Sequence, residues 1–197
     1  MSCDIIVEQK TKSSRYLEHF ITRSKCAADL LLLQVFPNCK EITEAWGAFE
    51  ATHKLPKPFI DWSNPDIHAV VIGDGATPRL GATIAFRSKW KVSSVDPTLN
   101  NKNWENKVQR LKCYRCKIED LPDNYFDDDY LITFAMHSHV PLSLCLPKIN
   151  ARRGLVIVAC ECCINLSLAN IPPNIEYHDE HMWTPKNHIK IWISPIK

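Results

Sequence analysis

The sequence predicts an α/β protein: an open, mostly parallel sheet with helices on both faces and a C-terminal antiparallel strand pair. Three observations predict it. A short, nearly continuous apolar run, Ile67-His68-Ala69-Val70-Val71-Ile72, has the pattern of a strand buried on both faces and stops at the turn Gly73-Asp74-Gly75. A helix-start signal, Thr77-Pro78, follows at once. Further apolar runs then alternate with polar connections to the end of the chain, the arrangement of a sheet with crossover helices.

Before that core, residues 1–60 read as a helical segment. Tyr16, Leu17, Phe20, Ile21, Leu30, Leu31 and Leu33 recur at helical spacing, which gives one or two amphipathic helices between Ser14 and Phe36. Pro37 ends them. A further helix spans Lys40 to about Ala51, with Ile42, Ala45, Trp46 and Phe49 on its inner face, and Lys54-Leu55-Pro56-Lys57-Pro58 breaks it. Residues 67–197 form the α/β core of what reads as a single domain. After the first strand, Thr77 is placed to cap free amides, and Pro78 suits the first turn of a helix running to Ser88. Strands are expected at Lys91–Val95, Lys107–Ile118, Tyr130–Met136 and Gly154–Cys160. Arg110, Lys112, Arg115 and Lys117 put the Lys107–Ile118 strand at an edge, where charge discourages pairing with other chains. Asn174–His178 and His188–Ile193 make the antiparallel pair.

Length and composition set the class. A chain of 197 residues with 45% apolar content and 9% aromatics can bury its own core. The apolar run near Leu30–Phe36 is far too short to cross a bilayer, and Met1-Ser2-Cys3-Asp4 does not resemble a secretory signal. A cytoplasmic protein with no membrane partner is the expectation. Nine cysteines in such a compartment read as thiols that pack as small hydrophobes. Cys113-x-x-Cys116 and Cys160-x-Cys162-Cys163 could suggest zinc, but they lie in or beside strands rather than in turns, so no metal is expected. A net charge of +2 neither demands nor excludes nucleic acid. The basic run with Trp104 and Tyr114 is more simply an edge-strand charge pattern balanced by Asp127-Asp128-Asp129, so nucleic acid is not the favoured partner. Trp62, Trp90, Trp183 and Trp192 are expected in core and rim packing.

Ligands of open α/β sheets sit at the carboxyl ends of the strands, so the residues there can be read together. They are Gly73, Asp74 and Gly75 after the first strand, where glycines let a ligand approach the backbone closely. Asp96 follows the second strand, placed to accept hydrogen bonds from ribose hydroxyls, and Glu119 and Asp120 follow the third, able to receive an exocyclic amine. His137-Ser138-His139 follows the fourth strand and Glu161 the fifth. Arg79 at the helix start could bind a carboxylate or phosphate, or simply pair with a nearby acid. His137 and His139 could take a proton from an acceptor, or could merely cap a helix and hydrogen-bond in the rim.

With those residues in place, positions 67–161 resemble a Rossmann-like family, the class I S-adenosylmethionine-dependent methyltransferases. The resemblance rests on Gly73-Asp74-Gly75, on Asp96, on Ile118-Glu119-Asp120-Leu121-Pro122 and on the strand Tyr130-Leu131-Ile132-Thr133-Phe134. It implies S-adenosylmethionine as cofactor, with Gly73 and Gly75 along the methionine moiety, Asp96 at the ribose and Glu119 or Asp120 at the adenine. A nicotinamide fingerprint fits poorly, because Pro78 stands where its third glycine would be. The connections flanking the third strand are short, which implies a trimmed member. The motifs of adenine amino-group and ribose methylases are both missing. The function expected is methyl transfer to an unidentified acceptor, a macromolecule among the candidates, with a protein partner able to complete a bare site. The alternatives are a catalytically silent binding or scaffold protein of the same fold, and a nucleotide-binding module in which Arg79 receives phosphates.

Overall fold

The computed structural model describes residues 13–160 and 171–194. The N-terminal segment forms α1 (Arg15–Arg23), α2 (Ala27–Leu32) and α3 (Cys39–Glu50), followed by a 3₁₀ turn over Ala51–Lys54. Asn38 starts α3 by accepting the Glu41 amide at 3.1 Å. Ile42, Ala45, Trp46 and Phe49 are buried as expected, and Thr43, Glu44, Gly47 and Ala48 between them are buried as well.

The remaining elements are β1 (Ile67–Ile72), α4 (Arg79–Arg87), β2 (Lys91–Val95), α5 (Trp104–Lys107), β3 (Leu111–Tyr114), β4 (Phe126–Ala135), α6 (Leu142–Cys145), β5 (Ile149–Cys160), β6 (Ile175–His178) and β7 (His188–Ile193). They build one sheet of seven strands in the order β3-β2-β1-β4-β5-β7-β6. The first five strands are parallel, and β7 runs antiparallel to both β5 and β6. The order turns back at β1, between β2 and β4, which places a crevice at the carboxyl ends of those strands. Ile67, Ala69 and Val71 of β1 face a core shared with α1, α3 and α4. His68 lies between them, and Val70 and Ile72 face a smaller core with Ile118, Phe126, Cys145 and Ile149. That second face is covered, among the described residues, by α6 and two 3₁₀ turns, Ile118–Asp120 and Leu146–Lys148, in keeping with the short connections.

The expected strand Lys107–Ile118 shrinks to Leu111–Tyr114, because Arg110 adopts φ 66° and interrupts the extended backbone. It is an edge strand as expected. Strands β4 and β5 start earlier than their apolar runs, because their polar beginnings pair with each other: Arg152 Nε donates to Asp129 at 2.8 Å and Nη1 to Asp127 at 3.1 Å. Those aspartates are therefore balanced by the neighbouring strand and not by the basic residues of β3. Arg110 instead donates to the Ala85 and Ser88 carbonyls at the end of α4, at 2.7 and 3.1 Å. No helix among the described residues is long and apolar enough to cross a membrane.

Candidate cofactor site

The turn after β1 is built by its own acids. Both glycines have left-handed backbones, φ 71° at Gly73 and 85° at Gly75. Asp74 points inward: its carboxylate accepts the Leu80 and Gly81 amides, each at 2.9 Å, and the Ser94 hydroxyl at 2.8 Å. Burial raises its pKa even against these donors. Asp74 thus caps α4, the role expected of Thr77, whose hydroxyl instead donates to the Val35 carbonyl at 2.5 Å. Asp96, at the end of β2, accepts the Gly75 amide at 2.8 Å and the Thr98 amide and hydroxyl at 2.7 and 2.6 Å. A carboxylate offers about four acceptor positions, so one stays available at Asp96.

The glycines are closely approached by the chain itself. Ser138 lies against the Cα of Gly73, and the Arg79 guanidinium lies over Gly75. Arg79 Nε donates to the Asp74 carbonyl at 2.9 Å, and its Nη1 forms a short ion pair with Glu41 of α3. The pairing with a nearby acid, one of the two readings of Arg79, is therefore present.

Between these walls opens a cavity of about 390 Å³, within the usual range of small-molecule sites. It brings together Gly73, Gly75, Arg79, Asp96, Glu119, His137 and His139, and its apolar wall includes Ile72, Val95 and Ile118. Asp74 and Asp120 do not line it; Asp120 sits exposed at the end of the 3₁₀ turn that presents Glu119. Glu161, Cys162 and Cys163 lie outside the described residues. The imidazole of His137 faces Glu44 of α3, with Nε2 3.4 Å from the carboxylate, and Cys160, whose Sγ is 3.6 Å from Nδ1. His139 is exposed at the mouth of the cavity.

Sequence reasoning did not find Glu41 and Glu44. Their only signal was two acids three apart at the start of a helix, and nothing in the sequence brings that helix to the glycine turn. A second cleft of about 480 Å³, between α1, the 51–54 turn and β6, was also missed. It mixes Arg15 and Lys54 with Glu50, Asp179 and Glu180 and carries no consistent charge. Cys113 is a buried thiol whose pKa burial pushes up to about 12. Among the described residues no group of His, Cys, Asp and Glu is arranged to hold a metal.

No family model matches the chain, and no curated protein matches its sequence. Solved structures do match its fold. The phosphoethanolamine N-methyltransferase 1 of Haemonchus contortus, solved with phosphoethanolamine and S-adenosylhomocysteine, superposes with a TM-score of 0.51 at 10% identity, over 93% of this chain and 48% of that one. The chain has the class I methyltransferase fold. It spans about half the length of the Haemonchus enzyme, 48%. A TehB-like S-adenosylmethionine-dependent methyltransferase from Corynebacterium glutamicum is covered over its whole length, 100%, and over 92% of this chain, at 10% identity and a TM-score of 0.44. The methyltransferase fold puts the glycine turn, Asp96, Glu119 and the residues after β4 around one cavity.

Proposed function

We propose that this cavity binds S-adenosylmethionine and that the chain is a methyltransferase acting on an acceptor still to be identified. One observation carries the reading: residues from the ends of three parallel strands, Gly73 and Gly75, Asp96, and His137 to His139, converge with Glu119 on one cavity in a methyltransferase fold. The residues fit the cofactor. Asp96 retains an acceptor position for a ribose hydroxyl, Ile72, Val95 and Ile118 offer apolar contact to a base, and Glu119 stands at the rim for the adenine amine. The bound cofactor supplies an electrophilic methyl group on a sulfonium, and the protein's task is alignment plus, for some acceptors, removal of a proton. Of the two histidines, His139 is the better candidate for that proton, since it is exposed at the mouth whereas His137 is turned toward Glu44 and Cys160. A phosphate ligand on Arg79 is disfavoured, because Glu41 already neutralises the guanidinium.

The silent binding reading has one observation in its favour: Ser138 and Arg79 already lie against the two glycines along which the methionine moiety would run. Thermal melting with S-adenosylmethionine, S-adenosylhomocysteine, NAD and ATP separates the readings. A ligand at a hundred times its Kd stabilises by about 2.7 kcal/mol. For a chain of 150–250 residues that raises Tm by roughly 5–10 °C. The proposal expects this rise with the first two ligands only, and its loss in Asp96→Ala. A rise with ATP alone, or no rise with any ligand, overturns it. Transfer of a labelled methyl group to a cell extract, lost in His139→Ala while binding persists, then distinguishes an enzyme from a silent binder.

A further inference from the structure

The second cleft, of about 480 Å³ between α1, the 51–54 turn and β6, shares no lining residue with the cofactor cavity. Its formal charges are mixed, but its acids and its bases differ in what their neighbours already take up. Two of its three acids face partners within the fold. Asp179 is 5% exposed; its Oδ2 accepts the Tyr16 hydroxyl at 2.6 Å and its Oδ1 the His181 amide at 3.0 Å. Glu50 accepts from Arg87 at 3.2 Å and lies 3.2 Å from His53 Nε2. Glu180, the third, is exposed and turns to solvent.

The basic side keeps its donors. Arg15 meets no carboxylate among the described residues; its Nη1 donates to His181 Nε2 at 3.0 Å, which leaves four of its five N–H groups. That contact makes His181 a neutral ring whose Nδ1–H donates to Ser13 Oγ at 2.7 Å. Arg15 is thus held by the segment after β6 without being neutralised. Lys54 makes no ion pair among the described residues. Its Nζ lies 4.7 Å from the centre of the Tyr177 ring, which steadies the ammonium and leaves its three N–H groups. His19 stands four residues from Arg15 and four from Arg23, on one face of α1. Burial, with Arg23 and Arg15, lowers its pKa against the opposing pull of Glu50 and Glu18, so cations outweigh acids at this ring.

We propose that this cleft is a second ligand site, which takes a phosphate-bearing small molecule between Arg15 and Lys54. Two cations from separate walls balance a dianion, where a single carboxylate would match only one of them. The planar fork of Arg15 offers paired donors to adjacent phosphate oxygens, and the Lys54 ammonium adds a point charge. The volume lies in the range of small-molecule sites, which leaves room for an organic body beside the phosphate. Tyr177, half-buried under Lys54, gives that body a flat surface. Such a site does not depend on what the first cavity binds.

Calorimetric titration of the full chain at low ionic strength with ribose 5-phosphate, inorganic phosphate and ribose tests it. Both phosphates are expected to bind, and ribose is not. Tighter binding of the ester identifies an organic phosphate as the occupant, and equal affinity identifies the free ion. Arg15→Gln and Lys54→Gln, both at exposed positions, should each weaken binding by roughly tenfold or more, the loss of one hydrogen bond to a charged group. In the wild-type protein, saturating phosphate should raise the pKa of His19, read by NMR of its ring protons, because a nearby anion favours the imidazolium. S-adenosylhomocysteine should leave the affinity for phosphate unchanged. Absence of phosphate binding overturns the site, as does ribose binding as tightly as its phosphate. Unaltered affinity in both variants, or an unmoved His19, also overturns it. Displacement of phosphate by S-adenosylhomocysteine overturns it by moving the anion to the first cavity, and leaves the cofactor reading standing.

Discussion

Ser138 rests directly on Gly73: a Cβ built at Gly73 would overlap both the Cα and the Cβ of Ser138. The glycine turn is therefore fixed by two separate demands, a left-handed φ of 71° and a close neighbour from the segment after β4. His137 and His139 flank that neighbour with φ of 57° and 56°, so the segment's course depends on two further left-handed residues. Gly73→Ala should destabilise the protein by at least about 1–2 kcal/mol from the backbone alone, with the overlap adding to it. Ser138→Gly in the same chain should recover only the part of the overlap due to the Ser138 Cβ, and neither the overlap with its Cα nor the backbone cost. Urea denaturation reads both, and a fully restored double variant would show that φ at this position carries no strain.

Asp74 is the cap on which α4 depends. It is 4% exposed, and all three of its hydrogen bonds come from groups that would otherwise be left without this acceptor. Asp74→Ala removes a charge-assisted cap and strands two helix-start amides, a loss of roughly 2–4 kcal/mol. Thr77→Val should cost less than 1.5 kcal/mol, about one ordinary hydrogen bond, since its hydroxyl serves only the Val35 carbonyl. Equal losses in the two variants would return the capping role to Thr77.

Thiol reactivity separates the described cysteines by burial. Cys39 is exposed, whereas Cys26, Cys113, Cys145 and Cys160 are buried. Burial, with Glu105 and Asp74 nearby, pushes the Cys113 thiol up to about 12, far from a reactive thiolate at neutral pH. Among the described cysteines, alkylation of the native protein at pH 8, followed by peptide mass spectrometry, should label Cys39 first and Cys113 among the last. Early labelling of Cys113 would mean that β3 opens from the sheet edge.

The sheet was legible in the sequence where a strand ends at a glycine or an acid: the apolar run Ile67–Ile72 stops at Gly73 and the segment Lys91–Val95 at Asp96, and both appear with the expected bounds. What misled was polarity satisfied across strands. Asp127 and Asp129 with Arg152 extend β4 and β5 well before their apolar runs begin, and periodicity cannot register a partner in another strand. Of the site, the glycine turn, Asp96 and Glu119 were readable from order along the chain. The orientation of the carboxylates was not. Asp74 and Asp120 are the same residue type in similar settings, yet one turns into the core and the other stays exposed. Glu41 and Glu44 escaped notice because they reach the site through the packing of α3 on α4, a contact with no local sequence signature.

On the second face of the sheet, His68 links two strands to its own: Nδ1 is 2.6 Å from Asp128 and Nε2 is 2.8 Å from the Ser93 hydroxyl. The neutral ring satisfies both by donating to the carboxylate and accepting from the serine. These are the residue types of a hydrolytic triad, but Ser93 lies within β2 at 2% exposure, and the backbone around it is occupied by pairing to β1 and β3. The group is structural, and it has a pH signature. Burial lowers the His68 pKa below its ordinary 6.5 despite the hydrogen bond to Asp128, with Lys91 and Lys112 adding to the depression. Between the folded and unfolded values the unfolded chain binds more protons, so the stabilisation is complete above about pH 6.5 and is lost as pH falls toward the folded value. Asp128 is also lowered: burial works against the change, and His68 and Lys91 outweigh it. Its share is lost only at more acid pH, below the ordinary carboxylate value of 3.8. Melting temperatures measured from pH 8 to pH 5 should therefore fall more steeply in the wild-type protein than in His68→Asn, which has no proton to take up. Parallel curves would mean that His68 titrates alike in the folded and unfolded chains, and the buried neutral ring would have to be abandoned.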